Sequence, residues 1–232
     1  MIQTWILASL GGILPALLWL MFWLREDAKH PEPKFRIASA FLGGMIAIIL
    51  VLPLETYTAK SLSVTDPQTV LLWAFFEESI KFLVCIVAAL RFKENDEPID
   101  AVIYMLTAAL GFSAMENTLF LLNPIIHGQV VETIITGNLR FMGASLLHVI
   151  SSSTLGIFIA LSFYKGKIWK FTYTSLGVVS ATGLHTIFNL FIMKGTNETA
   201  LRTFSVVWLA IIVLMLLFEK VKTLYPHNKQ HA

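Results

Sequence analysis

Seven apolar runs divide the chain, at 2–24, 36–54, 69–90, 99–122, 139–164, 168–193 and 201–219. A helix needs about 20 such residues to cross the hydrocarbon of a bilayer. In hydrocarbon every backbone N–H and C=O must find its partner within the protein, so only α-helices and closed barrels can span it; long apolar runs without alternation exclude the barrel. The expected fold is all-α, a polytopic transmembrane helix bundle of about seven spans forming one domain over 1–232. Composition agrees: 14% of the residues are charged and 56% hydrophobic, whereas soluble domains carry roughly 25% charged residues. The first run has no basic residue before it and is followed by "REDAKHPEPK", so it reads as a permanent span and not as a cleaved signal. A single cysteine, Cys85, excludes an internal disulfide and reads as a small buried apolar residue.

The links between runs are short and rich in turn residues: "HPEP" (30–33), "TDPQ" (65–68), "KENDEP" (93–98), "LNPIIHG" (122–128) and "KGTNE" (194–198). Their charge is lopsided. Arg25, Lys29, Lys34, Arg36, Arg91, Lys93, Lys165, Lys167, Lys170, Lys220, Lys222 and Lys229 fall on one side, against Lys60, Arg140, Lys194 and Arg202 on the other. The positive-inside bias then puts the N-terminus outside and the tail in the cytoplasm of a multi-pass cell-membrane protein. Small residues in "GGIL" (11–14), "LGG" (42–44) and "GASLLHVISSSTLG" (143–156) mark expected close helix approaches. Trp5, Trp19, Trp23, Trp169 and Trp208 read as interfacial anchors. The bilayer is the expected surrounding; the short basic tail does not make a nucleic-acid module.

Ionisable groups inside a span cost at least about 2.5–3.5 kcal/mol each near its centre, which makes them functional candidates. They are Glu77, Glu78 and Lys81 in the third run, Glu116 with Asn117 in the fourth, His148 in the fifth, and His185 with Asn189 in the sixth. At a rise of about 1.5 Å per residue, Glu77, Glu116, His148 and His185 all fall roughly 9–14 Å below the outer end of their helices. Four helices thus bring polar groups to one layer. Lys81 stands one helical turn from both Glu77 and Glu78 and can neutralise one of them. Two adjacent carboxylates in a poor solvent do not both ionise cheaply, which suits one of them to acid–base work. A water between glutamate and histidine, facing donors for an oxyanion, is the equipment for amide hydrolysis. Asp100 is expected to cap the start of the fourth helix.

Four stretches, in order on successive runs, carry a resemblance: "EESIK" (77–81), "DAVIYMLTAALGFSAMEN" (100–117), "LLHVISSSTLG" (146–156) and "LHTIFN" (184–189). They resemble the PrsW family of bacterial intramembrane proteases, which is distantly similar to the CAAX-prenyl endopeptidases and the bacteriocin-processing membrane proteases. The resemblance implies catalytic roles for Glu77, Glu78, Glu116, His148, His185 and Asn189, with Lys81, Asn117 and Phe112 in support. It implies a membrane-anchored protein substrate, an anti-sigma factor whose first cut starts a stress response. Thr186 and Ala101 stand where the family often has glycine; neither change removes a reactive group.

The same residues admit other readings. "GAS" (143–145) with His185 could serve a rhomboid-like serine mechanism, though Leu146 replaces the usual second glycine. No His-Glu-x-x-His helix is present, so the expectation is a reaction without a metal; if zinc is used, Glu77, Glu116, His148 and His185 are its expected ligands. A proton-coupled transporter or a non-catalytic membrane scaffold would also place charge within the membrane.

Overall fold

The computed structural model describes residues 2–26, 31–193 and 197–224, of which 197–204 by backbone alone. Lys29, Lys194, the Arg202 side chain and Lys229 lie outside the described residues. Helix α1 spans Ile2–Glu26, α2 Lys34–Ser61, α3 Pro67–Cys85, α4 Pro98–Ile126, α5 Val130–Leu139, α6 Ser145–Leu161, α7 Lys167–Met193 and α8 Asn197–Lys222. A π-helical turn, Ile86–Leu90, extends α3, and a second, Arg140–Ala144, joins α5 to α6 in one rod. No strand occurs among the described residues.

Five of these helices, α1, α2, α4, the α5–α6 rod and α7, are long and apolar enough to cross a membrane. Their outward faces carry Leu7, Leu14, Leu18, Ile46, Ile49, Phe171 and Val179, all exposed in the isolated chain, as suits helices bathed in lipid. The α3 segment is interrupted by Glu77, Glu78 and Lys81. One expected boundary shifts. The interval 123–138 between the fourth and fifth apolar runs reads as an outer loop, but the loop contracts to His127–Gln129 and the helix resumes at Val130.

Local signals set the helix starts. Asp66 accepts from the Gln68 amide at 2.9 Å and Pro67 opens α3, an arrangement that satisfies one orphan donor and removes another. At α4 the cap is Glu97, and Asp100 returns the bond as the fourth member of a capping box. Its Oδ2 accepts from the amides of Asp96 and Glu97 at 2.8 and 2.7 Å. Asp100 therefore caps the helix from inside its first turn.

Helix α4 is the axis of the bundle. From Pro98 to Ala114 every residue is buried, under α1, α2 and α6. Glycine makes this possible. A Cβ on Gly44 would collide with the Ala108 carbonyl and one on Gly111 with that of Phe41, so α2 and α4 cross backbone to backbone. Gly12 meets Ala114 O at 2.5 Å and Gly156 meets Ala101 O at 2.9 Å by the same test. The small-residue stretches thus pack as expected. Trp23 does not sit at an interface: it is fully buried against Phe22 and Phe218. Trp19 is turned inward to donate to the Phe141 carbonyl at 3.3 Å.

Candidate active site

Four helices deliver the intramembrane polar groups to one buried cluster. Helix α3 contributes Glu77, Glu78 and Lys81, which are 5%, 0% and 0% exposed, so none can rely on water for compensation. The lysine answers the carboxylates: its Nζ lies 2.8 Å from Glu78 Oε1 and 3.4 Å from Glu77 Oε2, and 4.2 Å over the Phe112 ring of α4. It also lies 2.9 Å from His148 Nδ1 of α6.

That last contact fixes a tautomer. An ammonium only donates, so His148 Nδ1 accepts and the ring proton sits on Nε2, which donates to Glu116 Oε2 of α4 at 2.9 Å. His185 of α7 is held the same way: Nδ1–H donates to Glu78 Oε1 at 2.8 Å, leaving the Nε2 lone pair free. Each imidazole has its far nitrogen on a carboxylate and turns its near nitrogen to the same atom, Glu77 Oε2, at 3.8 Å. The two rings meet edge to face, their centroids 5.1 Å apart, and Phe112 walls His148 at 5.3 Å.

Glu78 is saturated. Besides Lys81 and His185 it accepts from Ser152 Oγ at 2.7 Å through Oε2. Glu77 differs: its Oε2 is buried and has no hydrogen-bond partner. A buried carboxylate oxygen without a donor needs an explanation. Here it lies 3.8 Å from one nitrogen of each imidazole and 3.4 Å from the Lys81 ammonium, and the three ligand atoms of Glu77, His148 and His185 lie within 4.8 Å of one another.

These residues fit a divalent metal. Glutamate with two histidines is a known open zinc set, with ligand distances of about 2.0–2.2 Å, and carboxylates behind the imidazoles are the usual outer support. One adjustment is required: Lys81 must yield His148 Nδ1 and rest on its glutamates. Glu116 is not part of the three-donor face; it stands behind His148, where Arg140 Nη2 also reaches Oε2 at 2.5 Å.

Asn117 accepts from Arg140 Nε at 2.6 Å and donates to Ser113 and Ser145. Ser145 is thereby engaged away from His185, and no serine hydroxyl bonds to His185 among the described residues, which removes the rhomboid-like reading. Asn189, one turn beyond His185, is half-buried and makes no hydrogen bond among the described residues. Three participants escaped the sequence reading. Ser152 carries no sequence signal of a role, Arg140 reads as a loop charge, and Glu55, just beyond the second apolar run, lies on α2 with its carboxyl against that of Glu77.

Fold and site together define a class, a multi-pass helical membrane protein with hydrolytic groups buried between its helices. The comparisons make the class specific. The model of the PrsW family of intramembrane metalloproteases matches residues 32–217, and the chain belongs to that family. Among curated relatives, Protease PrsW of Clostridioides difficile is 26% identical over 190 residues, covering 78% of this chain and 77% of its own. Protease PrsW of Oceanobacillus iheyensis is 29% identical over 215 residues, covering 88% and 91%, and that of Bacillus subtilis 23% over 160, covering 68% and 66%. No solved structure matches the chain. The chain is an intramembrane peptidase.

Proposed function

We propose that the peptide bond is hydrolysed at Glu77, His148 and His185, and that the substrate is a membrane-anchored anti-sigma factor, cut near the outer face. The observation that carries the site is Glu77 Oε2, buried without a hydrogen bond and 3.8 Å from one nitrogen of each imidazole. The substrate class rests on the role the resemblance implies. The outward position rests on the bias of loop Lys and Arg, which supports an N-terminus outside and a cytoplasmic tail.

Glu77, His148 and His185 would hold a divalent metal of the zinc type, which in such a set lowers the pKa of a bound water toward about 7 and polarises a carbonyl. The other groups have work of their own. Glu78 and Glu116 hold the protons on His185 Nδ1 and His148 Nε2, keeping the opposite nitrogens aimed at Glu77. Lys81 balances Glu78 and keeps two adjacent carboxylates compatible with burial. Asn189 has a free amide one helical turn from His185 that can donate to a developing oxyanion.

One observation favours a second reading. Lys81 Nζ is already 2.9 Å from His148 Nδ1, so a protein cation satisfies the nitrogen a metal would take. Glu77 Oε2 would then draw the proton from the attacking water itself, as a general base. Both readings place the reaction at Glu77. Co-expressed single-span anti-sigma factors should be cut by the native chain and left whole by Glu77→Gln, a loss of about 10²–10⁴ in rate. Full cleavage by a folded Glu77→Gln overturns the site. Cleavage of other single-span proteins but never of anti-sigma factors overturns the substrate class alone.

A further inference from the structure

Arg140 opens the π-helical turn that joins α5 to α6. It grips three residues of α4: Nη2 reaches Glu116 Oε2 at 2.5 Å, Nε donates to Asn117 Oδ1 at 2.6 Å, and the guanidinium lies 3.8 Å over the Phe120 ring. The Glu116 oxygen it holds also accepts from His148 Nε2, at 2.9 Å. One carboxylate oxygen is thus shared between an arginine and a histidine from the same rod.

The π turn makes that sharing possible. At roughly 100° per residue, positions eight apart on an unbroken α-helix point about 80° away from each other, whereas absorbing one extra residue brings them to within about 20°. Arg140 and His148 therefore face α4 together. Helix α5, above the turn, has no buried residue and packs on the bundle along α4, the helix that Arg140 also grips.

We propose that Arg140 is a positioning residue for the reaction: it clamps Glu116 against His148 Nε2 and so fixes the ring with Nδ1 toward Glu77. The role rests on the proposed site. A fork is needed because one arm steadies Glu116 and the other Asn117, and the flat guanidinium also covers Phe120; an ammonium can serve only the first.

The test compares native enzyme, Arg140→Lys and Arg140→Gln, purified in detergent, on a single-span substrate. Arg140→Gln should lose about 10–100-fold in kcat with KM changed less than about twofold, as for loss of an outer-shell partner. Arg140→Lys, which keeps only the Glu116 contact, should fall between the two, several-fold below native in kcat. In thermal unfolding, the shift for Arg140→Gln combined with Glu116→Gln should be smaller than the sum of the single shifts, since the pair acts as one. An unchanged kcat in Arg140→Gln, a loss confined to KM, or a lysine variant as poor as the glutamine one overturns the role. If Arg140→Gln fails to accumulate, Arg140→Lys carries the test: a several-fold lower kcat at unchanged KM supports the clamp, and native kcat refutes it. Glu77→Gln is assayed alongside. If it retains cleavage, the site reading fails and takes the clamp with it; if it is inactive while Arg140→Gln is fully active, only the clamp fails.

Discussion

Lys81→Met removes the one cation in contact with both adjacent glutamates while roughly keeping the side chain's volume. The structure sets the scale of the effect. Lys81 is fully buried and its Nζ serves Glu78 at 2.8 Å, His148 at 2.9 Å and Glu77 at 3.4 Å. Without it, Glu78 is a buried carboxylate that keeps only His185 and Ser152 as donors. Breaking a buried pair by deleting one partner costs about 3–5 kcal/mol, because the other charge is left uncompensated. For a chain of this length that corresponds to a loss of roughly 6–20 °C in Tm. The double variant Lys81→Met with Glu78→Gln removes the stranded charge while the amide oxygen still accepts from His185, so it should regain at least half the loss. The assay is thermal unfolding of the three purified proteins in one detergent, followed by tryptophan fluorescence. A Lys81→Met protein within about 1 kcal/mol of native, or a double variant less stable than either single, would refute the assignment of Lys81 as the cluster's internal counter-ion.

Gly44→Ala and Gly111→Ala force a methyl into the Ala108 and Phe41 carbonyls; each should cost about 1–3 kcal/mol and displace α4, with lower yield of folded protein and slower cleavage. Gly183→Ala, with nothing near its added methyl, should be neutral or slightly stabilising in the same unfolding assay. Asn189→Ala should be slow but alive, losing at most about 4 kcal/mol of transition-state stabilisation; full kcat would remove Asn189 from the oxyanion role. Reporter fusions at the N-terminus and near Gly128 should read outside and a fusion to the tail inside, and a cytoplasmic signal near Gly128 would invert the proposed depth of the cut.

The helical class and the convergence of Glu77, Glu116, His148 and His185 were legible because two simple periodicities govern them. Length and hydropathy define helices that suit a bilayer, and a fixed rise per residue converts sequence position into depth. Gly12, Gly44 and Gly156 were legible for a similar reason, since small residues in apolar helices have few uses besides close approach. What was hidden depends on phase and partners. Arg140 looked like a loop charge because a π turn cannot be read from residue types, and without the extra residue its side chain would point away from Glu116. The difference between Glu77 and Glu78 was also invisible. Adjacent identical residues point about 100° apart on a helix, and only the neighbours decide that Glu78 is saturated by Lys81, His185 and Ser152 while Glu77 keeps an open oxygen. Trp23 was misplaced because an aromatic near a span end serves an interface or a core equally well, and Phe218, far along the chain, settled it.

If Glu77, His148 and His185 form a single metal-binding, peptide-cleaving centre, metal and activity must be lost and regained together. The most direct test is elemental analysis of active, detergent-purified enzyme alongside Glu77→Gln and His185→Ala, with cleavage followed through chelation and metal return. About one zinc-type ion is expected per native chain, with its loss in both variants and cleavage that disappears on chelation and returns with the ion. Full cleavage by exhaustively chelated, metal-free enzyme would contradict such a centre and leave Glu77 as an unaided general base.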